Sequence, residues 1–398
     1  MKSKNLEFVC LLADAQFALD TRTVEGKKCG DADIGLRIAD LTGSNKHSAI
    51  QNQKSEMAKR GLDALRSALE LGREQGYVNM FGWRFDVMPW LCVKSLEAGI
   101  EVDYVRRLIR ERNLIPDVPP IQCENWPWSV KIFTLGRFLI FNDDKPIQFA
   151  GKVQQKPLEM LKAMLSIGGG EAPEDRLIDA LWPEAVGDTA HKSFEITLHR
   201  LRRLLNSEKA VIRQGGLVSL DKRYCWVDMV AFERMVKNIE EMSHEMRKQG
   251  NKDSTYTPDS PTGEPFPQIA QMQAEMFRLA KKTVHLYKGL FLPTETLRAW
   301  TAPVRERLRD KFRNLVITLG AYLEQTRQWE TAAAHYRGAI EKDNLAEAFY
   351  QRLILCYHQL GQRAQGIEVY RRLKNTLSVS FNIAPSPLTE SLHQSLRE

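Results

Sequence analysis

Between Ser129 and Leu220 the hydrophobic period changes more than once, and that order leaves few folds open. In VKIFTLGRFLIF, Val130, Ile132 and Thr134 fall to one side and Lys131, Phe133 and Leu135 to the other, the alternation of a strand. Asn142-Asp143-Asp144-Lys145 reads as a turn and PIQF as a third short strand. Helical spacing then takes over. Pro157 suits a first helical position, Leu158, Leu161, Met164 and Leu165 make an apolar face, and Gly168-Gly169-Gly170 ends it. Pro173 opens a second helix carrying Leu177, Ile178 and Leu181, closed by Trp182-Pro183. Asp188 or Thr189 caps a third that runs to about Leu205. Ala210–Arg213 and Leu217–Leu220 flank Gln214-Gly215-Gly216, a hairpin signal.

Three strands, three helices and a hairpin spell a winged helix-turn-helix behind a small N-terminal sheet. The flanks are helical. Residues 1–20 and roughly 54–76 read as helices, the second with Leu62, Leu65, Leu69 and Gly72 at spacings of three and four. Residues 21–52 are polar and without period, so a mobile loop is expected. Residues 86–115 read as helical, and Pro116, Pro119 and Pro120 end that unit. Trp126 and Trp128 read as packing residues. Residues 243–267 are rich in Pro, Ser, Thr, Asp and Gly and read as a flexible insertion. Beyond them the chain repeats itself at an offset of 34: Leu319 with Leu353, Leu323 with Tyr357, Gln328 with Gln362, Tyr336 with Tyr370, Arg337 with Arg371. That is the tetratricopeptide (TPR) period, and two clear repeats need further helices, such as those in 270–317, to complete their core. The expected fold is therefore mainly α: a helical N-terminal segment over 1–125, the winged helix over 126–228, and TPR-like repeats over 229–398.

The third helix carries the chemistry. At 100° per residue from Phe194, Leu198, Leu201 and Leu205 fall within about 40° and form a buried stripe. Lys192, Ile196, His199, Arg200 and Arg203 gather opposite, with Arg202 and Glu195 at the boundary. Arginine can fork onto guanine and an apolar side chain can meet a thymine methyl, so this is the face a major-groove helix needs. Over residues 191–223 eight basic and three acidic side chains leave +5, against +7 for the whole chain. Arg213, Lys222 and Arg223 lie on or beside the hairpin, where a wing meets the neighbouring groove or backbone.

Other functions find little support. At 43% hydrophobic and 27% charged the chain can bury real cores, and its 398 residues suggest two to four domains. No stretch approaches the roughly 18 apolar residues of a membrane span, and an uncleaved cytoplasmic chain is expected. Six cysteines without a CxxC suggest neither a zinc site nor a disulfide framework. The Gly168-Gly169-Gly170 run lacks the GK[ST] of a phosphate loop, and neither HExxH nor GxSxG occurs. No catalytic, metal or cofactor residues are expected.

The segments VKIFTLGRFLIF, KPLEMLKAMLSIGGGEAPEDRLIDALWPE and AHKSFEITLHRLRRLLN together resemble the OmpR-type winged helix, closest to that of antibiotic-regulatory-type activators. Downstream, LYKGLFLP, WTAPVRERLRDKF and YRRLKNTLSVSFNIAPSP resemble the bacterial transcriptional activator domain, an all-helical TPR module that follows such a winged helix. The N-terminal part is similar to the helical-repeat end of larger regulators that carry an NTPase module. These resemblances imply a sequence-specific DNA-binding transcriptional regulator, an activator, reading the major groove with helix 190–205. Carried over by position, Lys192 and Ser193 would sit at phosphate, Ile196, Thr197 and Arg200 nearest base edges, and Arg202 or Arg203 again near phosphate. Arg213 would belong to the wing. Double-stranded DNA is the implied partner, with RNA polymerase and a second copy of the chain as further candidates. The competing expectation is a helical-repeat scaffold that binds protein and no DNA.

Overall fold

The order of elements follows the change of period. The computed structural model describes residues 2–19, 43–79, 87–116, 118–148, 155–185, 187–253 and 267–397. They divide into two compact units, residues 1–129 with 248–274, and residues 130–247 with 275–398.

In the first unit, α1 (Lys2–Leu19) lies along α2 (Gly43–Gln75), burying Phe8, Leu12 and Ala15 with Leu65, Ala68 and Leu69. Helix α2 starts earlier than expected. Residues 43–52 of the anticipated loop are helical, whereas 21–42 lie outside the described residues. The single helix expected over 86–115 is two, α3 (Met88–Ala98) and α4 (Val102–Glu111). Gly99, at φ 68°, ends α3 with its N–H on the Leu96 carbonyl, the left-handed cap for which glycine is suited. Tyr104 on α4 donates its hydroxyl to the Tyr77 carbonyl at 2.6 Å. Trp126 and Trp128 are both buried.

The second unit begins with β1 (Val130–Phe133), β2 (Leu139–Asn142) and β3 (Lys145–Pro146). Helix α5 (Gln155–Gly168) follows, then β4 (Glu171–Pro173), α6 (Glu174–Leu181) and α7 (Asp188–Leu204). Pro157 falls in the third position of α5, and Pro173 ends a strand and precedes α6; both were expected to begin their helices. Strands β5 (Val211–Gln214) and β6 (Leu217–Leu220) form the hairpin, with Gly215 at φ 59° and Gly216 at φ 74°. Two successive positive φ values are what a two-residue hairpin turn requires, and glycine takes them at the least cost. β4 adds to this hairpin in the order β4-β6-β5. β7 (Cys225–Val227) returns to the first sheet, parallel to β1, giving β3-β2-β1-β7. Neither β4 nor β7 was legible as a strand.

The winged helix is closed by a carboxylate. α8 (Asp228–Asp253) starts where β7 ends, and Asp228, 2% exposed, accepts from the Thr134 N–H and hydroxyl and from the Leu135 and Met229 N–H groups. Burial pushes its carboxyl up to about 6 against those four donors. The polar stretch 243–267 was expected to be flexible, yet residues 243–253 complete α8 and Pro267 begins α9 (Pro267–Leu286); residues 254–266 lie outside the described residues.

After α9 the chain returns to β1. Leu292 donates to Thr134 and Gly136 to the Leu290 carbonyl. A Cβ on Gly136, which has φ 76°, would stand 2.8 Å from the Lys288 carbonyl, so this approach demands glycine. Lys162 and Glu159 on α5 pair with Glu295 and Arg298 at 2.5 and 2.6 Å. The repeats follow as α10 (Ala302–Gln325) with α11 (Trp329–Lys342), and α12 (Glu347–Gln359) with α13 (Arg363–Phe381); α14 (Pro387–Ser395) closes the end. The 34-residue offset survives in the backbone: Gln328 and Gln362 precede α11 and α13 with ψ of 58° and 59°. Leu319, Leu353, Leu323, Tyr357, Tyr336 and Tyr370 are all buried.

Candidate nucleic-acid interface

Helix α7 is amphipathic in the simplest way. Phe194, Leu198 and Leu201 are buried to within 3% of full, and Leu205 follows at 1%. They meet Met160, Leu161, Met164 and Leu165 of α5 and Leu177 and Leu181 of α6 in one apolar core. Burying side chains of this size is worth about 1.5–3 kcal/mol each. That anchorage fixes the rotation of the helix and so decides what its other face presents.

The outward face holds Lys192, Glu195, Ile196, His199, Arg200 and Arg203, all exposed, with Ile196 at 53%. Lys192, His199, Arg200 and Arg203 have no hydrogen-bond or ion-pair partner among the described residues. Ser193 is half-buried. Thr197 departs from expectation. It lies about 60° from Phe194 on the helical wheel, is 5% exposed, and donates its hydroxyl to the Ser193 carbonyl at 2.7 Å. A side chain so placed does not reach a base edge. Position within a resembling motif brought it forward, whereas the wheel already set it beside the buried stripe.

The remaining cations are engaged within the chain. Arg202 sends Nε and Nη2 to the Val211 carbonyl at 3.1 and 3.0 Å, tying α7 to the first strand of the hairpin rather than facing a phosphate. Arg213 forks onto Glu174, Nε and Nη2 each at 2.8 Å, and sends Nη1 to Glu195 at 3.3 Å. Arg223 is held by Asp221, its Nη2 2.6 Å from Oδ2. Lys209 lies 5.9 Å from the ring centre of Tyr224. Lys222, beside the hairpin, is exposed. Glu174 and Glu195 were not expected to matter. The acidic start of EDRL and the 39 residues between Glu174 and Arg213 gave no signal of the pairing.

Among the described residues no group of three His, Cys, Asp or Glu could hold a metal ion, and no helix is long and apolar enough to cross a membrane. Cys92, Cys123, Cys225 and Cys356 are buried free thiols and Cys10 is exposed; Cys29 lies outside the described residues. Burial pushes the Cys92 and Cys356 thiols up to about 12, away from reactivity.

A winged helix with an outward cationic helix, followed by stacked helical hairpins, defines an architecture in which a helical-repeat module follows the winged helix. Residues 268–397 match the family model of the bacterial transcriptional activator domain. Among solved structures the chain is similar to Mycobacterium tuberculosis EmbR in complex with a low-affinity phosphopeptide, at 17% identity and a TM-score of 0.45. That likeness covers 68% of this chain and 65% of the other, so the chain spans somewhat under two thirds of it. No curated protein matches the sequence.

Proposed function

We propose that this regulator binds duplex DNA in a sequence-specific way and activates transcription from the bound site. Residues 126–228 act as the DNA-binding domain, with α7 in the major groove; residues 229–398 act as the protein-contact module. One observation carries this reading. The face of α7 opposite its buried stripe offers Lys192, His199, Arg200 and Arg203 without partners among the described residues, around an exposed Ile196. Arg200 and Arg203 suit guanine edges or phosphates, His199 a polar edge, and Ile196 a thymine methyl. Lys222 adds charge beside the wing. Partners of the repeats would be RNA polymerase or a second copy of the chain, at the cytoplasmic DNA.

Selection of bound sequences from random duplexes tests the reading. A defined motif should emerge, with affinity falling steeply as salt rises, because phosphate contacts release counterions. Failure to retain any duplex at low ionic strength, where that attraction is greatest, would leave the chain a protein-binding scaffold.

A further inference from the structure

We propose that Glu174 and Arg213 are a positioning pair that sets the wing against the reading helix, so that Arg213 serves the duplex site through Glu174 and touches no phosphate. This rests on the reading of α7 given above and deepens it. β5 is the outer strand of the order β4-β6-β5, and Ile212, Arg213 and Gln214 on it are exposed. Ladder hydrogen bonds on one side hold it, and a strand held so is free to swing unless its side chains pin it. Arg213 supplies the pin. Its guanidinium takes both oxygens of Glu174, the first residue of α6, reaches Glu195 on α7, and lies 5.6 Å from the ring centre of the buried Phe194. One side chain thus ties its own strand to both α6 and α7.

Glu174 grips the hairpin a second time. Its backbone N–H donates to the Gly216 carbonyl in the turn, at 2.9 Å. His191 on α7 brings Nδ1 within 3.6 Å of the same carboxylate. Glu174 is only 7% exposed. To swing its guanidinium onto a phosphate, Arg213 would have to leave that carboxylate buried without the fork, and breaking a buried pair is costly. The planar fork matters as well as the charge, since lysine cannot reproduce two parallel bonds to one carboxylate.

Arg213→Lys, Arg213→Ala and Glu174→Gln in the full chain separate the two roles, with binding to a selected duplex measured across salt. A positioning pair predicts that all three weaken binding about tenfold, as a typical coupling between sites would, with the slope of log affinity against log salt unchanged. A phosphate contact predicts instead that Arg213→Lys keeps its affinity and Arg213→Ala lowers the slope by about 0.9; that result would overturn the proposal. Amide exchange on the chain without DNA gives an independent reading. Arg213→Lys and Glu174→Gln should speed exchange in Val211–Leu220 and leave α5 unchanged, and unaltered exchange there would also sink it. Should the wild-type chain bind no duplex, the function assigned to α7 fails, while the exchange experiment still decides the pair.

Discussion

Helix α7 and the hairpin carry similar charge, but they hold it differently. On α7, Lys192, Arg200 and Arg203 are exposed and have no ion-pair partner among the described residues, and the neighbouring Glu195 is occupied by Arg213. At the hairpin, Arg213 and Arg223 are paired with carboxylates, Arg202 is spent on a backbone carbonyl, and Lys222 alone stands exposed without a partner among the described residues. Formal charge along a sequence counts both sets alike. What differs is availability: a guanidinium forked onto a carboxylate must give up those bonds to turn elsewhere, and a buried carboxylate resists being left alone. The cations of α7 are left open to a partner from outside, and those of the hairpin are held within the chain.

The largest effect should come from the residue shared by both regions. Phe194→Ala empties a ring from the core and removes the surface over which Arg213 lies, and should cost about 3–5 kcal/mol of stability, measured by urea unfolding. A loss below 1 kcal/mol would mean that helix and wing do not share a base. Next, Arg200→Ala with Arg203→Ala should reduce duplex affinity by about two orders of magnitude or more, while the unfolding midpoint stays at that of wild type because both side chains are exposed. Unaltered affinity would reverse the contrast between the two regions.

A third prediction concerns the platform beneath both. Asp228 titrates near 6 in the folded chain, above the roughly 3.9 of an unfolded aspartate. The folded state therefore holds this proton more tightly. Ionisation costs stability above pH 6, and that cost fades as pH falls towards 4. Between pH 7 and pH 4 wild type should gain on Asp228→Asn by roughly 2–3 kcal/mol, seen as converging or crossing unfolding profiles; parallel profiles would refute it. The smallest effect belongs to Ile196→Ala. Being half exposed it should leave stability within about 0.5 kcal/mol and relax preference at one base pair of the selected motif. An unchanged motif would remove Ile196 from the reading face.

Much of the fold was legible because it rests on local regularities. The Phe194, Leu198, Leu201 stripe needs only the helical period, the Gly215-Gly216 turn only the freedom of glycine at positive φ, and the repeats only their offset. Misplaced boundaries came from reading composition as disorder: the polar starts of α2 and the end of α8 are helical despite their polarity. The strands missed, β4 and β7, are three residues each, too short for alternation to declare itself.

The amino-acid order by itself determined the periods, and with them which side of α7 faces the core and which faces outward. Only the tertiary structure decided which of the outward cations are spoken for. β7 beside β1, Asp228 beneath Thr134, and Glu174 under Arg213 join residues 39 or more positions apart. Period is a property of neighbouring residues and can be read along a chain, whereas a pairing over such distances exists only once the chain has closed on itself.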